Sequence, residues 1–285
     1  MFINGAGTMI HQSEKPTLIL GGTGKTGRRL AERLTGLGKP VRIGSRSGRP
    51  PFDWNDEATW EAALDGVGAA YISYYPDLAV PGAADAVGAF ARLAVRNGVK
   101  RLVLLSGRGE PEARRAEQAV QDSGADWTIL RSAFFCQNFS ESFMLEALNA
   151  GVVALPVGDV KEPFVDADDI ADAAVAALSE DGHVGQLHEM TGPRLLTFAE
   201  AIGEIGKASG RDIRYVQITP QEFDAMLVEQ QLPAEFVGLL NELLTQVLDG
   251  RNSYLTDGVE RALGRKPTDF SDYVRDAAAT GVWEV

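Results

Sequence analysis

Three glycines spaced three apart, Gly21, Gly24 and Gly27, follow the apolar run Leu18-Ile19-Leu20 and lead into a segment of helical spacing that starts at Lys25. Residues in that order handle phosphate. Gly21 permits a tight turn out of a strand, Gly24 lets the backbone approach a pyrophosphate, and Gly27 keeps no side chain between the new helix and the sheet. The free N–H groups of the helix's first turn, with its positive dipole end, then face an anion. Thr23, Lys25 and Thr26 bring two hydroxyls and an ammonium to the same loop. The second apolar segment, Val41-Arg42-Ile43, runs into Gly44-Ser45-Arg46-Ser47, where the adenosine ribose of a dinucleotide held by the glycine loop would lie. No Asp or Glu stands there to take both ribose hydroxyls. Arg46 does, and a guanidinium at that point suits a 2′-phosphate, so NADP(H) is the expected cofactor, with NAD(H) as the alternative.

Catalytic chemistry is harder to find. Many short-chain dehydrogenases protonate a carbonyl oxygen with a tyrosine whose pKa is lowered by a lysine four positions later. Tyr71, Tyr74, Tyr75, Tyr215, Tyr254 and Tyr273 are followed at that spacing by Tyr, Leu, Ala, Thr, Gly and Ala. An acid pair of that kind is therefore not expected, and the compatible reaction is hydride transfer to an acceptor that is already electrophilic, such as an iminium or a quinone. Tyr74 and Ser106 are the candidates for orienting it, and Tyr75, Phe135 and Asn138 the candidates for the substrate wall. His183 and His188 have no second ligand at metal spacing, and Ser106-Gly107 lacks the glycine of a nucleophile elbow. The acidic group Asp166, Asp168, Asp169 and Asp172 opens a helix, which favours capping over metal binding, and no metal is expected.

The elements that must position these residues alternate as strand and helix. A helix through Leu34 follows the glycine loop. Strands are expected at Val41–Ser47, Phe52–Trp54, Ala69–Tyr75, Arg101–Ser106 and Trp127–Arg131, with helices at 57–64, 83–97 and 114–123. The expected fold is α/β, a Rossmann-type doubly wound parallel sheet over residues 15–150, with a smaller α/β cap over 151–285. Residues 164–178 are expected to pack back on the first part. Ligands in such sheets bind at the carboxyl ends of the strands, which places Ser45, Arg46, Asp53, Ser73, Tyr74, Ser106 and Phe134 on the cofactor's side. Thr197 with Glu200 three positions on reads as a capping box for a helix over 197–209, and 236–248 and 270–278 read as apolar helices.

The 285 residues are 45% hydrophobic, enough for a sizeable core. A net charge of −13 argues against nucleic acid as a partner, and no apolar run approaches the ~20 residues that cross a bilayer. Cys136 is the sole cysteine and reads as a small buried hydrophobe. The expected setting is cytoplasmic, with a small-molecule substrate and a homodimer as an open possibility. Met1–Pro16 reads as a loose leader.

The Gly-x-x-Gly-x-x-Gly spacing is that of the short-chain dehydrogenase/reductase superfamily. With Leu105-Ser106, the stretch from Trp127 to Phe139, Pro163-Phe164-Val165-Asp166-Ala167-Asp168-Asp169-Ile170-Ala171 and Met190-Thr191-Gly192-Pro193, the chain resembles the NmrA-like atypical members nearly end to end. Gly24-Lys25-Thr26, Asn138-Phe139-Ser140-Glu141 and Gly264-Arg265-Lys266-Pro267 with Trp283 are similar to the branch of festuclavine and agroclavine dehydrogenases and their bacterial relatives. The resemblance implies an NAD(P)-binding domain, a cleft under the cap and no metal or flavin. It leaves open two classes of function, a reductase and a regulator that binds the dinucleotide and turns nothing over.

Overall fold

The computed structural model describes residues 14–284; the leader read over Met1–Pro16, with His11, lies almost wholly outside them. Strand β1 (Thr17–Leu20) passes through the glycine loop into α1 (Lys25–Gly36), and β2 (Val41–Gly44) pairs parallel to β1. After α2 (Trp60–Leu64) come β3 (Ala69–Ile72), α3 (Ala83–Arg96), β4 (Arg101–Gly107), α4 (Pro111–Gln121) and β5 (Asp126–Ser132). The remainder holds α5 (Met144–Ala150), β6 (Val152–Leu155), β7 (Lys161–Glu162), α6 (Ala167–Ser179), β8 (Gln186–Met190), β9 (Leu196–Thr197) and α7 (Phe198–Ser209). It ends with β10 (Arg214–Gln217), α8 (Pro220–Glu229), α9 (Ala234–Asn241), α10 (Gly258–Leu263) and α11 (Phe270–Ala279).

One parallel sheet organises the whole, in the order β2-β1-β3-β4-β5-β8. The chain reverses its direction of winding at β1, so β1 and β3 flank the crevice in which such sheets take ligands. Phe52–Trp54 does not form the expected strand. Pro50 and Pro51 bring no N–H to a ladder, and the next N–H groups are spent locally, Phe52 on the Ser45 carbonyl (2.9 Å) and Asp53 on Thr59 Oγ1 (3.0 Å). The two aromatic rings instead join Trp60 and Phe90 in the core, with Phe52 edge-on to Trp54 at 5.0 Å and to Phe90 at 5.6 Å. The sixth strand comes from beyond residue 150, because β8 pairs with β5 in register from Thr128↔Gln186 to Ser132↔Met190.

Alternation along the strands divides the core. Leu18, Leu20, Ala70, Ile72, Leu102 and Leu104 pack against α2, α3 and α4, whereas Ile19, Tyr71, Val103 and Leu130 pack against α1 and α6. A third cluster, built on Phe139, Phe164, Phe198, Phe270 and Trp283, fills the C-terminal part. The capping box forms as read, with Thr197 Oγ1 accepting from Glu200 N (3.1 Å) and Glu200 accepting from Thr197 N (2.8 Å). The apolar stretch expected as one helix over 236–248 is α9 followed by a wider π-type turn at Glu242–Val247.

The acidic group divides its labour more than capping predicts. Asp166 caps α6 by accepting from Asp168 N (2.8 Å), but Asp168 and Asp172 hold Arg33 of α1 at 2.6 Å each, and Asp168 also takes Arg29. Buried Asp169 accepts Arg265 (2.6 Å) and the Thr268 N–H (2.7 Å). Arg29 and Arg33 thus bolt α1 to α6.

Two outcomes follow. A Cβ at Gly27 would lie 2.2 Å from the Gly21 carbonyl oxygen, a backbone atom that cannot move aside, so Gly27→Ala is expected to cost upwards of about 3 kcal/mol in urea unfolding. A loss under about 1 kcal/mol contradicts the contact. Buried His188 shares a hydrogen bond with His183 (3.1 Å), and burial, His183 and Arg261 push its pKa down to about 4. Because an unfolded histidine titrates near 6.5, the unfolded chain binds this proton first, and stability falls as pH drops from about 6.5 toward 4. His188→Gln is expected to lose less of its Tm over that window than the wild type; parallel losses contradict the assignment.

Candidate functional site

The glycine loop leaves its helix end open. Gly21 adopts φ +66°, a left-handed conformation that its lack of a Cβ permits, and its carbonyl accepts the Gly24 N–H at 2.9 Å. Gly24 is the N-cap residue of α1, and no side chain caps the helix. Ser, Thr, Asp or Asn at that point would satisfy the first-turn donors; here they remain available to an anion. Above Gly24 a Cβ would meet only the Gly21 oxygen, at 3.2 Å, so the loop presents bare backbone. These features fit a pyrophosphate.

Three strand ends converge on this loop. Ser73, just past β3, is so close that a Cβ on Gly21 would sit 3.1 Å from its own Cβ. At the end of β2, Ser45 and Ser47 place their hydroxyls 3.4 Å apart, and exposed Arg46 forms no ion pair among the described residues. Lys25 is half-buried and likewise unpaired there; burial draws its pKa down while Glu141 opposes the shift and Arg28 and Arg29 reinforce it. Glu141 itself is held by Arg28 (2.8 Å) and Arg29 (2.7 Å), and these bonds bring the loop after β5 to the rim of the glycine loop. Thr23 is exposed at the loop's crest.

Several expected residues face elsewhere. Thr26 is buried and its hydroxyl accepts from Tyr71 (2.9 Å), so only its backbone remains for a ligand. Ser106 is 3% exposed and donates to Glu117 Oε1 at 2.7 Å. Glu117 is in turn gripped by Arg131 at 2.8 and 2.5 Å, so the Ser106 hydroxyl is committed to a strong acceptor. Asp53 folds its carboxylate onto the Asn55 N–H (3.0 Å) in a local turn, and its carbonyl takes Trp60 Nε1 (2.7 Å). The Phe134 ring packs against Phe198 at 5.5 Å and Phe164 at 6.0 Å, within the cap's aromatic core, and Phe135 packs against the α1–α6 core. Asn138 is half-buried in the turn after Cys136, while Cys136 is fully buried and burial pushes its thiol pKa far up.

Tyr74 and Tyr75 remain at the open edge. Tyr74 packs at 4.8 Å on Trp54, and burial pushes its phenol pKa up, which makes it a weaker acid than free tyrosine. Tyr75 is 61% exposed and approaches Phe236 of α9 at 6.3 Å. The hydroxyls of Tyr71, Tyr215, Tyr254 and Tyr273 are each spent on a protein acceptor.

Sequence reading missed two carboxyls at the same edge. Glu110, in the turn after β4, is 8% exposed, and its Oε2 has no partner; burial, with Asp77 and Glu117 nearby, raises its pKa well above the usual range. Glu162 of β7 is 2% exposed and accepts the Phe134 N–H (3.2 Å), and its Oε2, like that of Glu110, has no partner among the described residues. Neither carries a sequence signature: Glu110 stands between Gly109 and Pro111, and Glu162 between Lys161 and Pro163.

The sequence profile of the NmrA-like family matches residues 113–274. An uncharacterized oxidoreductase, YesF, from Bacillus subtilis is 34% identical over 95% of this chain and 98% of its own. Agroclavine dehydrogenase from Claviceps fusiformis is 31% identical over 91% of this chain and 96% of its own. Among solved structures, the NADPH complex of a quinone oxidoreductase from Escherichia coli has the same fold, with a TM-score of 0.74 at 24% identity over 91% of this chain and 99% of that one. The parallel sheet, its glycine loop and these two independent likenesses agree: the chain belongs to the NmrA-like family.

Proposed function

We propose that the protein is an NADP(H)-dependent reductase that delivers hydride to a small or medium cyclic or aromatic acceptor in the cytoplasm. The observation that carries this reading is the uncapped N-terminus of α1, with Arg46, which forms no ion pair among the described residues, at the end of the neighbouring strand β2. Pyrophosphate would be held by the backbone of Gly21–Gly27, with Lys25 adding charge, and the 2′-phosphate by Arg46, with Ser45 and Ser73 lining the crevice between. The dinucleotide supplies hydride when bound. The chain's own contribution is to bind, orient and exclude water. Trp54 and Tyr74 form an apolar shelf beside β3, and Tyr75 with Phe236 forms a rim on which a flat acceptor can lie.

The relatives named for oxidoreductase and dehydrogenase activity, and the fold neighbour named for quinone reduction, support chemistry of this class. Acid catalysis by tyrosine has no support in the geometry. The acceptor therefore arrives already polarised, as an iminium or a quinone, and unactivated ketones are poor substrates.

Titration should show tighter binding of NADPH than of NADH, with the preference lost in Arg46→Ala; equal affinities in the wild type contradict the assignment of Arg46. Gly24→Val should abolish binding of both nucleotides and leave the circular dichroism of the fold largely intact, since only the Gly21 oxygen crowds a Cβ there. In an assay of NADPH absorbance, quinones or cyclic iminium ions should be turned over and plain ketones ignored. Tight binding without turnover of any acceptor would instead support a regulator that senses the dinucleotide.

A further inference from the structure

Glu162 is placed in an unusual way for a surface-rich acidic protein. Its strand, β7, pairs with β9 opposite Leu196, and its carboxyl takes the N–H of Phe134, two residues past the carboxyl end of β5, the end at which such sheets bind ligands. On the β5 side it meets only the N–H of Phe134, at 3.2 Å. On the β4 side the nearest charge is Arg108, whose guanidinium is already committed to Glu189 (2.8 Å) and to the carbonyls of Asn252 (3.2 Å) and Tyr254 (3.3 Å). The segment from Asn252 to Tyr254 lies against this point, with Ser253 donating to the Lys161 carbonyl at 2.5 Å. Oε2 therefore has no hydrogen-bond partner among the described residues. A lone carboxylate there would be a buried anion with one weak hydrogen bond, and the state that fits is the neutral acid, with its proton on Oε2.

We propose that Glu162 is the proton donor of the reaction, so that the site serves acceptors whose reduction takes up one hydride and one proton, as quinone and azo groups do. This rests on the reductase reading. Hydride adds to the conjugated acceptor, and the electron pair moves to a carbonyl oxygen or to the far nitrogen of the N=N bond. The O–H bond of Glu162 breaks as that atom gains its proton, and the carboxylate left behind keeps the Phe134 N–H and gains the field of Arg108. Water restores the proton when product leaves. An iminium needs none of this, because hydride addition alone leaves a neutral amine. Burial supports the assignment by pushing the Glu162 pKa up to about 7, against the pull of Phe134 N–H and Arg108.

Two measurements on the full chain decide it. Infrared or carbon NMR titration of the cofactor-free protein should show a carboxyl that loses its proton near neutral pH and disappears in Glu162→Gln; a Glu162 that ionises in the ordinary range near 4.3 overturns the proposal. With NADPH, Glu162→Gln should lower kcat for quinones by about 10²-fold or more, with KM, NADPH affinity and iminium turnover unchanged. Wild-type quinone turnover should fall as pH rises through the donor's pKa, and the variant's profile should be flat. Equal effects on quinones and iminium ions, or none on either, overturn the donor role while the reductase reading stands. A wild type inert toward every acceptor overturns both.

Discussion

Everything at the open edge of the sheet depends on how closely α1 starts against β1. The Gly21 carbonyl lies where a Cβ of Gly27 would have to be, so helix and strand touch through backbone alone. That contact aims the uncapped first turn of α1 at the crevice beside β1 and β3. Apposed backbones gain little by themselves, and the geometry is fixed from behind. Arg29 and Arg33 reach from α1 to Asp168 and Asp172 on α6, and Arg265 completes the lattice through Asp169 and Asp172. Isolated exposed ion pairs contribute little, whereas a partly buried network of shared carboxylates holds two helices in one register. The C-terminal half thereby takes part in shaping a loop that lies more than a hundred residues earlier.

The same coupling explains which parts of the fold were legible in the sequence. The glycine loop, the strands at residues 17–20, 69–72, 101–107 and 126–132, and the capping box at Thr197 are written in short windows, because turn geometry, alternation and caps are local. Phe52–Trp54 has the composition of a strand, but its aromatic rings gain more by joining Trp60 and Phe90 than by extending an edge. The sixth strand could not be assigned to the sheet from sequence, since the pairing of β8 with β5 is set by long-range packing.

The site was half legible for related reasons. Residue types at strand ends pointed to Gly21, Ser45, Arg46, Ser73 and Tyr74, and the structure places these just past the ends of β1, β2 and β3. Ser106 and Thr26 lie at the right positions in the chain, yet each hydroxyl is engaged in the interior, Ser106 donating to Glu117 and Thr26 accepting from Tyr71. Glu110 and Glu162 went unread because burial, which raises a carboxyl's pKa, is a tertiary property.

A crystal structure of the protein soaked with NADPH tests the central claim most directly. The account predicts pyrophosphate density over Gly21–Gly27 at the N-terminus of α1, with the 2′-phosphate against Arg46. Density for the nucleotide at any other place, or a 2′-phosphate turned away from Arg46 into solvent, would contradict it.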